Sequence, residues 1–404
     1  MISLHTNKET YADDRTRYRL AKHRLINILF MHFLERLLFL SVVIVVPLKW
    51  VGMGYLTAPE TGLFFFCLFF MYRCTPLFFS YISRYISRET IFIAGGMIEC
   101  LALFLLLYHH DRLIVFSLAL LAGVGGGATT TMLISMIESA NLDVSALKNK
   151  IADHDIFNIH LMLINVSALL SPLLAFLSVA AYRTAIISLA IALLLLVFNM
   201  LRSGKFGSYI HIPDRSVTRG HFDNKFLLIW IATVSVWAAA SIIYAILPSL
   251  DSIFLGQEGI NFWLSFDALV VIVLFFILKL ISFLRSNTII NAAIGLLATL
   301  AGLMLILVGQ QSFYIILLSL VIMAFGGYVA FGQLYGLAMQ TPYTHRKTFY
   351  LGLLSFSGAL GEAGMQGLFW LTQRVNFCLA IACCLILIGL LALGYLGKRD
   401  RNFP

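Results

Sequence analysis

Of the chain's 404 residues, 60% are hydrophobic and only 12% charged, with a mean hydropathy of +0.93. A water-soluble core has no room for so much apolar surface, so these figures exclude a soluble globular domain and leave a polytopic helical membrane protein. The formal charge of +9 raises the question of a nucleic-acid partner. The basic residues, however, lie in short segments between apolar runs, the pattern of anchoring on one side of a bilayer.

Residues 1–24 mix Lys8, Arg15, Arg17, Arg19, Lys22 and Arg24 with acids. That is not the build of a cleavable signal peptide and reads as a cytoplasmic tail. Apolar runs near the ~20 residues that cross a bilayer follow at 25–48, 61–82, 89–109, 113–137, 156–180 and 182–201. The longest polar connection, 203–224, is rich in Gly, Ser and charge and reads as a cytoplasmic linker. Further runs lie at 226–249, 260–284, 288–309, 312–340, 348–372 and 377–397, before a short tail at 399–404. The expected fold is all-α, with twelve transmembrane helices in two six-helix bundles, 25–202 and 225–398. With the N-terminus inside, only Lys49, Arg112, Arg183 and Arg374 of the 28 Lys and Arg fall outside, and Arg36 and Arg73 lie within spans. Both termini are therefore expected on the cytoplasmic face of an inner or plasma membrane.

The six cysteines, Cys67, Cys74, Cys100, Cys378, Cys383 and Cys384, fall in apolar runs without metal-ligand spacing and read as small hydrophobes. With no clustered His or Asp motif, neither an enzyme nor a metal or other cofactor is expected. The two halves echo each other: "GVGGGATTT" in span four answers "FGGYVAFGQLYG" in span ten. Small residues at matching positions permit close helix contact or local unwinding.

Glu35, Arg36, Arg73, Glu99, Asp267 and Glu362 lie inside spans, where ionisable groups are costly and are functional or tightly paired. Counted from the cytoplasmic ends, the first four sit at one depth, some ~15 Å up at the helical rise. A network is expected there, with Glu35 paired to Arg73 and Glu99 as the next candidate partner. His32 shares a helix face with Glu35 and Arg36 and is a candidate proton carrier; His160 is a weaker one. Asp267 and Glu362 show no intramembrane base beside them in the sequence, which suits proton carriers. The alternative for each is a neutral, hydrogen-bonded structural group. Arg36 and Arg73 are candidate substrate ligands, since a guanidinium holds a carboxylate bidentately. Tyr72, Trp237, Tyr244, Tyr328, Gln333 and Tyr335 are candidates to line a cavity, with packing as their alternative.

The string "HFLERLLFL", His32 to Leu40, resembles the first-helix motif ExxERFxYY of the proton-coupled oligopeptide transporter family, within the major facilitator superfamily. The likeness continues through Gly52 to Gly96, with Tyr72, Thr75 and Pro76 matching Tyr-x-x-Thr-Pro, and returns in "PYTHRKTFYLGLLSFSGALGEAG". The departures are specific. His32 replaces the first acid, Phe39 and Leu40 replace tyrosines, Ala128 stands near the expected lysine, and span ten carries no acid. The resemblance implies a secondary active transporter working by alternating access, with proton symport of a small polar or zwitterionic, carboxylate-bearing solute such as a peptide or amino-acid derivative. The implied partners are that solute, protons and the lipid bilayer, with no nucleic acid and a monomeric state. An exporter of drugs or siderophore-like metabolites and a non-transporting sensor remain as alternatives.

Overall fold

A computed structural model describes residues 3–83, 85–147, 155–202, 224–244, 246, 259–280, 288–339 and 347–402. The expected linker 203–224 lies outside the described residues except for Asn224, which opens a helix.

Among the described residues twelve helices follow one another: α1 Ser3–Gly52, α2 Ala58–Ile82, α3 Arg88–Leu106, α4 Arg112–Leu147, α5 Asp155–Leu170, α6 Val179–Arg202, α7 Asn224–Ala240, α8 Gly259–Leu280, α9 Thr288–Gly309, α10 Phe313–Met339, α11 and α12 Val375–Asn402. Helix α11 is composite, running Lys347–Gly358, then a π-helical segment Ala359–Ala363, then Gly364–Thr372. Among the described residues nine helices are long and apolar enough to cross a bilayer, and Ile159–Leu174 and Phe262–Ile277 are shorter apolar helices. The interrupted α11 completes the twelve expected from the sequence. Helix α1 is longer than the apolar run, because the polar segment before residue 25 is helical as well.

Local chemistry sets the helix starts. Glu60 accepts from the Thr57 N–H at 2.7 Å and from its hydroxyl at 2.9 Å, opening α2 with Pro59 in its first turn. Ser87 caps α3 through the Thr90 N–H at 3.2 Å. Asp111 accepts from the Leu113 and Ile114 N–H groups at 3.0 and 3.2 Å before α4.

In the first half α4 is the hub, packed against α1, α2 and α3, while α1 also touches α5 and α6. The glycine run explains this. A Cβ on Gly125 would lie 2.7 Å from the Glu99 Cα of α3, and one on Gly127 would lie 2.6 Å from the Tyr72 carbonyl of α2. That carbonyl is the one Pro76 leaves without its helical donor, so α4 backs onto α2 at a break in its hydrogen bonding. Of the two expectations for the glycines, close contact holds and α4 stays continuous. In the second half α9 packs on α10 and α12, and α7 on α12 and α10. The halves meet along two seams, α2 against α11 and α5 against α8.

Candidate functional site

The charged turn of α1 faces inward. His32 and Glu35 are fully buried and Arg36 is 3% exposed. Arg36 grips its neighbour Glu35 with two donors, Nε to Oε2 at 2.6 Å and Nη2 to Oε1. Its remaining arm donates to the Tyr72 hydroxyl at 2.8 Å, and Tyr72 passes the bond on to Thr130 at 3.2 Å. The guanidinium also lies 4.7 Å from the Phe39 ring centroid. Phe39 thus gives the guanidinium an aromatic face without a hydroxyl.

Two histidines close the other side. The rings of His32 and His160 stack at 4.6 Å, bringing α1 and α5 together. His32 Nδ1 stands 3.7 Å from Glu35 Oε2. Neither His32 nitrogen, nor His160 Nδ1, has a hydrogen-bond partner among the described residues. Glu99 of α3 arrives from a third direction, 2% exposed, with its carboxyl against Glu35 and Thr129 and with Oε1 unpartnered.

A second centre lies on the α2–α11 seam. Arg73 donates through Nε to Glu362 Oε2 at 2.7 Å, and its Nη2 is 2.6 Å from the same oxygen. The guanidinium rests on the face of Trp237 from α7, 3.6 Å from the ring centroid, with the Tyr72 ring 5.1 Å away. The π segment of α11 carries Glu362, and its wide turn is a feature frequent at functional sites. Its flanking glycine is required: a Cβ on Gly358 would meet the Arg73 stem at 2.8 Å. Trp237 Nε1 is buried without a partner, and its ring meets Phe331 at 4.5 Å. Tyr244 packs on Phe65 and Phe69 across the halves.

These positions correct the expected pairing. Glu35 does not bond Arg73; it is taken by Arg36, and Arg73 pairs with Glu362. Glu362 therefore has a basic partner, supplied by the other half of the chain. The depth argument set Arg73 within a span, and it lies on the apolar helix Pro59–Ile82, but it had no means of choosing among neighbours, because the partner is 289 positions away. Tyr72 is the residue common to both centres. Asp267 on α8 is half-buried, and no basic group of the described residues lies within ion-pair distance of it. Tyr328 and Gln333 sit half-buried on α10. The histidine stack and the roles of Thr129 and Thr130 carried no signal in the sequence beyond residue type.

No protein-family model matches the sequence, and no curated protein matches it at a significant level. Solved structures do. A POT family transporter in complex with a thioalcohol-conjugated peptide superposes with a TM-score of 0.72 at 14% identity, covering 93% of this chain and 96% of that one. A POT family transporter with 5-aminolevulinic acid gives 0.72 at 15%, with the same coverage. The human organic anion transporter MFSD10 (TETRAN) gives 0.67 at 15%, covering 92% and 99%. Near-complete coverage in both directions, together with the α2–α11 and α5–α8 seams, establishes that this chain has the major facilitator fold.

Proposed function

We propose that the protein is a secondary active transporter that moves a small polar or zwitterionic, carboxylate-bearing solute by alternating access between its two halves, coupled to protons. The observation that carries this reading is the Arg73–Glu362 pair, which joins the halves through an apolar seam. A pair in that place must separate whenever the α2–α11 seam opens, and separation leaves two desolvated charges. A zwitterion relieves both. Its carboxylate takes the Arg73 fork and the unused Trp237 Nε1–H, and its ammonium takes Glu362 and the Trp237 face. Arg36 is the weaker substrate ligand of the two arginines, because Glu35 and Tyr72 already occupy its donors.

The neighbours in fold fit this chemistry: one is described as an organic anion transporter and others hold a conjugated peptide or 5-aminolevulinic acid. In this reading both termini lie in the cytoplasm and the protein sits in an inner or plasma membrane, which the distribution of Lys and Arg supports. A division at 203–224 into halves 25–202 and 225–398, with the chain acting as a monomer, fits this mechanism. Asp267, Glu362, Glu35 and His32 are the groups through which protons couple; Tyr328 and Gln333 complete the solute's surroundings on α10.

The test is a thermal-shift screen of the purified protein against peptides, amino acids and other organic acids, followed by uptake of the hits in proteoliposomes. Stabilisation by carboxylates that is lost with their methyl esters supports the reading. Stabilisation confined to uncharged or cationic compounds contradicts it.

A further inference from the structure

We propose that the N-terminal end of α1 carries a binding site for an anionic phospholipid, with Arg19 and Lys22 on the headgroup and Ile26 and Phe30 against the acyl chains. The site goes beyond the transport reading and is independent of which solute is moved.

Height is the first observation. The apolar helix Thr16–Val43 has 28 residues, a length of about 42 Å at the helical rise of ~1.5 Å per residue. A hydrocarbon core takes ~30 Å of such a span and the two headgroup layers take the rest. Arg19 and Lys22 stand in its first two turns and so reach the headgroup layer of the leaflet nearest the start of α1. Helix α1 is unbroken from Ser3 to Gly52. These side chains therefore leave a rigid rod at a fixed height.

Facing is the second observation. Arg19, Lys22, Ile26 and Phe30 recur at intervals of three and four, the spacing of one helix face. All four are exposed, Ile26 by 48% and Phe30 by 52%. An exposed apolar face on a membrane-crossing helix meets acyl chains, so one strip passes from hydrocarbon up to headgroups. The opposite side of the same turns is pinned. Arg24, roughly half a turn round the helix from Arg19 and Lys22, is buried and donates to Asp143 of α4 at 3.1 Å. That bridge fixes the rotation that points Arg19 and Lys22 outward.

Charge is the third. Arg24 has its acid, whereas no acid among the described residues lies within ion-pair distance of Arg19 or Lys22. Two outward cations without a protein counter-ion, next to an apolar strip, complement a lipid whose headgroup carries net negative charge. The Arg19 fork takes a phosphate with two donors. The Lys22 stem lies along the apolar boundary and lifts its ammonium to the same level. Phosphatidylcholine brings a cation of its own that the two residues repel; phosphatidylglycerol brings none. Each basic residue at an anionic surface is worth about fivefold in binding, so the pair should favour phosphatidylglycerol by about 25-fold.

The experiment is native mass spectrometry of the full chain from micelles containing equal amounts of phosphatidylglycerol and phosphatidylcholine. Wild type should retain one phosphatidylglycerol in preference to phosphatidylcholine. Arg19→Gln and Lys22→Gln should each lower that preference about fivefold, and the double variant should remove it. Arg19→Lys combined with Lys22→Arg should keep it. Arg112→Gln combined with Arg374→Gln takes the same charge from exposed positions at the opposite ends of the spans and should leave it unchanged. Every substituted side chain is exposed, so the variants should fold, and an unchanged melting temperature in detergent checks this. A wild type without preference, or a preference that survives loss of both Arg19 and Lys22, overturns the proposal. An equal loss in the Arg112 and Arg374 variant overturns it too, since net charge would then be the cause. Displacement of the lipid by inorganic phosphate or glycerol 3-phosphate also overturns it, because the site would then take a free anion.

Discussion

Replacing Glu362 by Gln removes one charge of the inter-half pair and leaves Arg73 in place. With closest atoms 2.6 Å apart and charge centres about 4 Å apart, the attraction is about 4 kcal/mol at an effective dielectric constant of ~20. Breaking a buried pair from one side costs roughly 3–5 kcal/mol in soluble proteins. The stranded Arg73 keeps the Trp237 face it already has, so that contact leaves the difference unchanged. Glu362→Gln is therefore expected to destabilise by about 3–5 kcal/mol, and Arg73→Gln by a similar amount. Equilibrium unfolding in mixed detergent micelles measures both, and the double variant closes the cycle. The double should recover at least about 1 kcal/mol of the summed losses, since only interacting residues depart from additivity to that extent. The matching cycle of Glu35→Gln with Arg73→Gln should be additive. Additivity at Arg73 and Glu362, or coupling between Glu35 and Arg73, would refute the assignment of the bridge.

Tyr72→Phe deletes the hydroxyl between Arg36 and Thr130 and should cost about 1.5–3 kcal/mol, the range for a hydrogen bond to a charged group, read as a lower midpoint in the same unfolding assay. Gly125→Ala forces a methyl against the α3 backbone at Glu99 and should destabilise by about 1–3 kcal/mol through overpacking, whereas Gly327→Ala, with open space around it, should leave the midpoint unchanged. Asp267→Asn removes an acid with no base of the described residues beside it, so stability should hold while the pH dependence of uptake changes; an unaltered pH profile would take Asp267 out of the coupling set.

The architecture was legible in the sequence for a simple reason: in hydrocarbon each span must close its own hydrogen bonds, so apolar length alone counts helices. The twelve runs correspond to twelve helices, and α11 needed only its glycines to permit the π segment around Glu362. Which charges lie on the apolar helices was equally plain. Their partners were not. Depth along a helix places Arg73 and Glu35 at one level, but rotation and neighbour choice come from packing. The Tyr72 carbonyl against Gly127 and the Arg73 stem against Gly358 decide that Arg73 looks toward α11 rather than α1. Likewise His160 was a weak candidate by itself and acquires meaning only when α5 lays it on His32.

The measurement closest to the central claim is solute uptake in proteoliposomes under an imposed proton gradient, with a carboxylated hit from the thermal-shift screen. Wild-type protein should accumulate the solute above its external concentration only when protons flow inward. Arg73→Gln should abolish accumulation, and the methyl ester of the solute should not be concentrated at all. Accumulation that ignores the gradient, or survives unchanged in Arg73→Gln, would contradict the account.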